Sequence, residues 1–235
     1  CIGWLTDCVF GLTRAGWQII RKVKKAGMDF AKIRREYRQQ PMEIESLDPN
    51  PMQEFQKWID EAHRYYGDEC NAMTLATANS KGAPAARTVL LKGVTREGFL
   101  FYSNYLSRKG RDLSENPQAA LLFYWPLLDR QIRIEGPVSK VAADWSDSYF
   151  YSRPVGSQIS AIVSPQSQRI SLQELIDKRT ELEKSGDIKR PDHWGGYEVK
   201  GMYFEFWNGK ENRFHDRFVY QKMPDGRYER YRLAP

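Results

Sequence analysis

Apolar residues recur at two different spacings along this chain, and the switches between them mark out its elements. After the turn-forming Asp48-Pro49-Asn50-Pro51, Phe55, Trp58, Ile59 and Ala62 return at helical spacing, which predicts a helix to about Tyr66. Strand-like runs follow at 72–78, 85–92 and 98–103, with Asn79-Ser80-Lys81-Gly82 and Thr95-Arg96-Glu97-Gly98 as the turns between them. Residues 107–116 read as a short helix closed by Pro117. Two more strands are expected at 119–125 and 130–141, the second interrupted around Gly136-Pro137. Alternation in Gln131-Ile132-Arg133-Ile134-Glu135 gives that strand one apolar and one polar face. Helices are predicted at 144–151 and 172–184, the latter amphipathic, and strands at 202–207, 213–221 and 228–233. Short antiparallel strands with helices inserted, rather than regular β-α alternation, predict a mainly β protein of α+β class: a β-barrel with peripheral helices.

The chain is long enough, at 235 residues, for a sizeable core, and 41% apolar with 13% aromatic residues argues for a folded protein rather than disorder. No run approaches eighteen apolar residues, so no transmembrane helix is indicated. The formal net charge of +6 suggests nucleic acid at first sight, but residues 1–27 carry +4 of it, five basic residues against Asp7. The remaining +2 does not support a general basic footprint. That first stretch also holds Cys1 and Cys8, while Met28 opens a new charged run. Residues 1–27 are therefore expected to be an N-terminal extension outside the core; an amphipathic membrane-surface helix or part of a targeting peptide is the other reading. Residues 28–50 are expected to form a flexible lead-in, and 51–235 the barrel domain. Cys70 is the lone cysteine of that body, which excludes a disulfide framework and fits a reducing, cytoplasmic setting.

Missing motifs narrow the chemistry. His63, His193 and His215 are far apart, and no CxxC or HExxH pattern is present, so no metal is expected. There is no GxSxG elbow, no P-loop and no GxGxxG, so any bound phosphate must be held by side chains. Attention passes to the cationic clusters. In Arg87-Thr88-Val89-Leu90-Leu91-Lys92 the two cations fall on opposite faces of a strand, and only a bend near its end would bring both to one ligand. Solvated strand ends are the plainer reading. Ser107-Arg108-Lys109 puts two cations at a helix start, where free N–H groups already favour phosphate. Tyr149, Arg153 and Ser157 recur at four-residue intervals, although Pro154 argues for a break with Ser157 in the turn leading to another helix. Finally, the stretch from Trp207 to Arg217 gathers an indole, Arg213, Arg217 and His215. Such a set suits a flat anionic ligand, and it equally suits a polar hairpin turn around Asn208-Gly209. Taken together, the clusters suggest a stacked ring with its own phosphate plus a second phosphorylated ring.

These clusters, with Phe123-Tyr124-Trp125, Arg130-Gln131-Ile132-Arg133-Ile134-Glu135-Gly136, Ser152-Arg153-Pro154, Trp194-Gly195-Gly196-Tyr197, Phe206-Trp207 and Arg232-Leu233-Ala234-Pro235, stand in an order that resembles the pyridoxamine (pyridoxine) 5′-phosphate oxidase family over about residues 31–235. The resemblance implies a homodimer of FMN-binding split β-barrels with FMN at the subunit interface. It places Arg87, Thr88, Val89, Leu90, Leu91 and Lys92 along the flavin and its phosphate, with Tyr102 and Ser103 as the next contact. Ser103 stands where the family often has Thr. Arg108 and Lys109 would grip the FMN phosphate, and Gln131, Gln166, Ser167, Trp207 and Arg217 would complete the cofactor shell. Lys92, Tyr149, Arg153 and Ser157 match the family's substrate-phosphate set. Arg213 and His215 match the catalytic pair that covers the pyridine ring, with Phe214 between them where the family usually has Leu. Arg34-Arg35-Glu36-Tyr37 matches a segment that can close over the site. The implied reaction oxidises C4′ of pyridoxamine or pyridoxine 5′-phosphate to pyridoxal 5′-phosphate, with dioxygen as acceptor, releasing hydrogen peroxide, and ammonia from the amine. A non-catalytic flavin- or pyridoxal-phosphate-binding barrel would lack part of the substrate set, and here the set is whole.

Overall fold

The Asp-Pro-Asn-Pro turn starts a helix for a local reason. The Asn50 side chain accepts the Met52 N–H at 2.9 Å, and Pro51 takes the first turn of α1 (Pro51–Tyr66), where its missing N–H costs nothing. Gly67, at φ 55°, closes the helix. One face of α1 buries Phe55, Trp58 and Ala62. Phe55 meets Phe99 and Phe123 edge-on at 4.8 and 5.3 Å, and Trp58 meets Phe206 at 5.1 Å. Burying each such ring contributes roughly 2–3 kcal/mol, so these contacts hold α1 to the barrel. The structure, a computed structural model, describes residues 29–235, and the expectations for residues 1–27 and Met28 lie outside the described residues. Tyr37–Pro235 is one compact unit, which takes in residues 37–50; residues 29–36 fall in another.

The strands are β1 (Ala72–Ala78), β2 (Pro84–Leu90), β3 (Gly93–Val94), β4 (Gly98–Asn104), β5 (Gln118–Trp125), β6 (Arg130–Lys140), β7 (Trp194–Lys200), β8 (Tyr203–Asn208), β9 (Asp216–Lys222) and β10 (Tyr228–Arg232). All their pairings are antiparallel. From β1 they run to β2 and, after the break at Leu91-Lys92, through β3, β4, β7, β6 and β5 back to β1. This is a split barrel, with β8, β9 and β10 added as a wing on β6. The helices α2 (Arg108–Glu115), α3 (Ala143–Ser152), α4 (Val155–Val163) and α5 (Leu172–Ser185) lie in the connections between strands. The core is the barrel interior, where Leu75, Phe101, Leu121, Ile132, Ile134 and Val199 are fully buried. No helix among the described residues is long and apolar enough to cross a membrane.

Several local expectations need correction. The interruption around Gly136-Pro137 is absent: β6 runs straight through, changing neighbour from β8 to β7 at that point. A Cβ on Gly136 would lie 1.9 Å from the Lys200 carbonyl oxygen, so glycine permits the crossing rather than ending the strand. Strand β7 was hidden by Gly195-Gly196, whose missing side chains make room for Tyr105 and Tyr102. The strand expected from residue 213 begins only at Asp216, because Asn212 and Arg213 adopt φ of 55° and 62°. Ser157 stands in the first turn of α4 rather than in a preceding turn. Helix α5 contributes no buried residue, and Leu172 on it is 73% exposed, so its amphipathic pattern is not matched by burial.

Candidate active site

A cleft of about 460 Å³ opens where the barrel is split, between β2, β4, α2, α3 and the chain after α4. That volume is in the range of small-molecule sites. Arg87, Lys92, Lys109 and Arg153 line it, and no carboxylate among the described residues does. Arg87 and Lys92 share the cleft because β2 ends at Leu90, and the break supplies the bend that an unbroken strand would lack. Thr88, Val89 and Leu90 complete that wall, while Leu91 turns into the core at 7% exposure and gives its N–H to the Asn71 carbonyl.

Two buried groups aim Arg87. Its Nη1 donates to Thr77 Oγ1 at 2.7 Å and to the Leu75 carbonyl at 3.2 Å, and its Nη2 lies 3.7 Å from Asp112. Thr77 in turn donates to Asp112 at 2.7 Å. Across the cleft, Ser107 caps α2, accepting the Gly110 N–H and donating to the Asn104 carbonyl at 2.7 Å. The first turn of α2 then points Lys109 inward. Its ammonium is held by Ser103 Oγ at 3.0 Å, Ser107 Oγ at 3.2 Å and Gln166 Oε1 at 2.7 Å, all neutral. Burial, reinforced by the nearby Arg87 charge, pushes the Lys109 pKa down to about 8.

The third wall is aromatic. Tyr102 stacks on Tyr149 with centroids 3.9 Å apart, and Arg153 lies 4.8 Å from the centre of the Trp194 ring. Helix α3 stops at Ser152, and extended Arg153 carries its guanidinium into the cleft. Arg153 Nη1 is buried with no hydrogen-bond partner among the described residues, and burial lowers its pKa. An unpaired buried guanidinium nitrogen is costly, and an anion would relieve that cost.

A second cluster is built on the β8–β9 hairpin. Gln131, Trp207 and Arg217 face one another in register across β6, β8 and β9. The buried Glu205 receives Arg217 Nε at 2.8 Å and Arg133 Nη1 at 2.8 Å. The hairpin loop carries Arg213 and Phe214, both exposed, and His215. The His215 ring lies 4.6 Å from that of Trp207, and Tyr37 packs edge-on against both, at 5.1 and 5.4 Å. Burial, then the cations of Arg213 and Lys210, hold His215 below its ordinary imidazole value, against the opposing pull of Asp216. Residues 38–42 are tied to this hairpin: Gln39 N–H donates to the Gly209 carbonyl and Met42 N–H to Asp216.

The structure thus brings Arg87 to Leu90, Lys92, Tyr102, Ser103, Lys109, Tyr149, Arg153 and Gln166 into one cleft. Arg108 is exposed at the start of α2, Ser167 follows Gln166 at φ 69°, and Ser157 lies in α4; none of these lines the cleft. Gln131, Trp207, Arg213, Phe214, His215 and Arg217 belong to the hairpin cluster and are absent from its walls. Trp194 and Asn104 line the cleft although sequence reasoning passed over them. Trp194 opens the Trp194-Gly195-Gly196-Tyr197 motif, whose two glycines mask the strand it begins.

The family model described as pyridoxamine 5′-phosphate oxidase matches residues 59–183, and the pyridoxine 5′-phosphate oxidase C-terminal dimerisation region matches residues 194–235. A pyridoxine/pyridoxamine 5′-phosphate oxidase of Leptospira interrogans is 46% identical over 209 residues, covering 87% of this chain and 98% of the relative. A relative of Ralstonia nicotianae bearing that name is 46% identical over 208 residues, with the same coverage. Among solved structures, PhzG from Burkholderia lata, determined with tetrahydrophenazine-1-carboxylic acid, superposes with a TM-score of 0.79 at 26% identity, covering 85% of this chain and all of PhzG.

Proposed function

This chain belongs to the pyridoxamine 5′-phosphate oxidase family, and from that premise we propose that it oxidises pyridoxamine and pyridoxine 5′-phosphates to pyridoxal 5′-phosphate, using FMN and dioxygen. The observation that carries the reading is a four-cation cleft in which, among the described residues, no carboxylate lines the wall, Arg153 Nη1 has no partner and Lys109 is held by neutral oxygens alone. Such a cleft fits phosphate monoesters. FMN, when bound, would take the hydride from C4′ of the substrate and pass its electrons to dioxygen, yielding hydrogen peroxide.

Arg87 and Lys109 would hold the FMN phosphate, with Ser103 and Gln166 beside them. Lys92, Tyr149 and Arg153 would hold the substrate phosphate, and Ser157 would join them from α4. Gln131, Trp207 and Arg217 would border the flavin, while Arg213 and His215 would cover the pyridine. The protein's contribution is placement, fixing C4′ in reach of the acceptor while the cofactor carries the redox step. The hairpin cluster and the cleft are separate surfaces of one chain, and we assign the complete site to a homodimer in which each copy supplies one of them. The matched dimerisation region, residues 194–235, spans the hairpin and supports this.

The test is an oxygen-dependent assay of pyridoxal 5′-phosphate formation from each substrate, with and without added FMN. We expect a yellow protein that forms product and peroxide in equal amounts. A colourless protein that cannot be reconstituted with FMN would sink the reading.

A further inference from the structure

His215 is positioned from behind by its own loop. Its Nδ1 lies 3.1 Å from the backbone nitrogen of Lys210. A backbone N–H can only donate, so Nδ1 must accept, and a neutral imidazole then carries its proton on Nε2. The Lys210 side chain is anchored in turn: its ammonium lies 3.1 Å from Asp216 Oδ1, and that carboxylate is fully buried. Asp216 Oδ1 also receives Arg232 Nη1 at 2.6 Å, and Oδ2 receives the Met42 N–H at 3.0 Å. One carboxylate therefore joins the hairpin loop, the last strand and the segment before α1. The charged groups facing His215 are Arg213, Lys210 and Asp216, and its ring neighbours are Tyr37 and Trp207.

We propose that Asp216 is a positioning residue for the oxidation: by anchoring Lys210 it keeps that residue's N–H on His215 Nδ1 and so holds His215 in a single tautomer with its proton on Nε2. This rests on the functional reading above, which gives His215 its place over the substrate. Arg232 and the Met42 N–H keep the carboxylate fixed while Lys210 hangs from it. Burial works to raise the Asp216 pKa, but the Met42 N–H, Arg232 and Lys210 outweigh it and hold the group below the ordinary carboxylate range. It is therefore an anion at neutral pH and a permanent partner for Lys210.

The chain has three histidines, so spectra of protein labelled with 15N-histidine are simple, and His215→Asn identifies the signal of interest. In the FMN-loaded wild type at pH 7.5 the His215 signals should show protonated Nε2 and unprotonated Nδ1. In Asp216→Asn they should move toward a tautomer mixture, and kcat should fall by about tenfold or more while FMN content stays at the wild-type level. If loss of the buried carboxylate unfolds the chain, Lys210→Met carries the same expectations, because Lys210 is at the rim of the cluster. A wild-type His215 protonated on Nδ1 overturns the proposal, and so does a folded variant with an unchanged His215 spectrum. The spectra need no turnover, so a wild type without oxidase activity would defeat the functional reading while the tautomer measurement still decides this one.

Discussion

Lys109 illustrates how burial and neutral partners tune a single cation. Its ammonium has hydroxyl and amide oxygens as partners, Arg87 nearby, and a pKa pushed down to about 8, so the ligand-free site gives up its proton more readily than an exposed lysine. A phosphate dianion would restore the charged form. Below pH 8 the charge is already present when FMN arrives, whereas above it binding must take up a proton. The Kd for FMN should therefore rise between pH 8 and 10, by up to about tenfold per unit. Fluorescence titration of FMN reads this directly, and Lys109→Met should both weaken binding and flatten the pH dependence. Arg213 sets the opposite kind of test. It is exposed on the hairpin loop and away from the cationic cleft, so on the proposed substrate role Arg213→Ala should cut kcat/KM by about a hundredfold or more with FMN retention unchanged. Equal loss of both would remove Arg213 from the substrate side. The residue types at these positions were readable in advance, since cations and aromatics in that order carried the family resemblance. Thr77 and Asp112 as the groups that aim Arg87 were not readable, because they are 10 and 35 residues away from their hydrogen-bond partners in sequence and meet only through strand pairing and helix packing.

At the scale of elements, the glycines decided what pattern reading could not. Gly136-Pro137 looks like a strand ending, yet it is the point where β6 passes under the Lys200 carbonyl and exchanges one neighbour for another. A Cβ at 1.9 Å from that oxygen cannot be accommodated without backbone movement, so Gly136→Ala should lower stability by about 1–3 kcal/mol or more. Thermal unfolding checks this, and an unchanged Tm would mean that β6 and β7 separate easily. Helices α1 and α2 were legible because their caps, Asn50 and Ser107, are local signals. Strand β7 and the loop before β9 were not. The first is defined by its partners β4 and β6, and the second by two residues in left-handed conformations that only the closed hairpin imposes.

For the whole molecule, β2 ends the strand order beside β1, and its open side is where the proposed homodimer would draw on a second copy. Leu90 is 45% exposed and Tyr124 is 48% exposed; both border a second hollow, and Leu90 also lines the cationic cleft. If the proposed homodimer closes over this surface, cofactor binding and assembly are tied together. Leu90→Asp should therefore shift the protein toward monomer in sedimentation and lower FMN retention in the same preparation; a dimer that keeps its flavin would separate the two. Removing residues 1–27 should leave activity and dimerisation intact, as assayed by product formation and sedimentation, if the working domain begins after them. The order of motifs along the chain was enough to settle the family and the barrel class, and it named the cations proposed to bind phosphate, because those depend on local spacing and residue chemistry. Folding alone decided which groups meet. Arg87 and Lys92, on opposite faces of an ideal strand, share one cleft because the barrel splits between them, whereas His215 and Arg213 stand on a different surface. Contacts of that kind are made by elements far apart in sequence, so no local pattern could carry them.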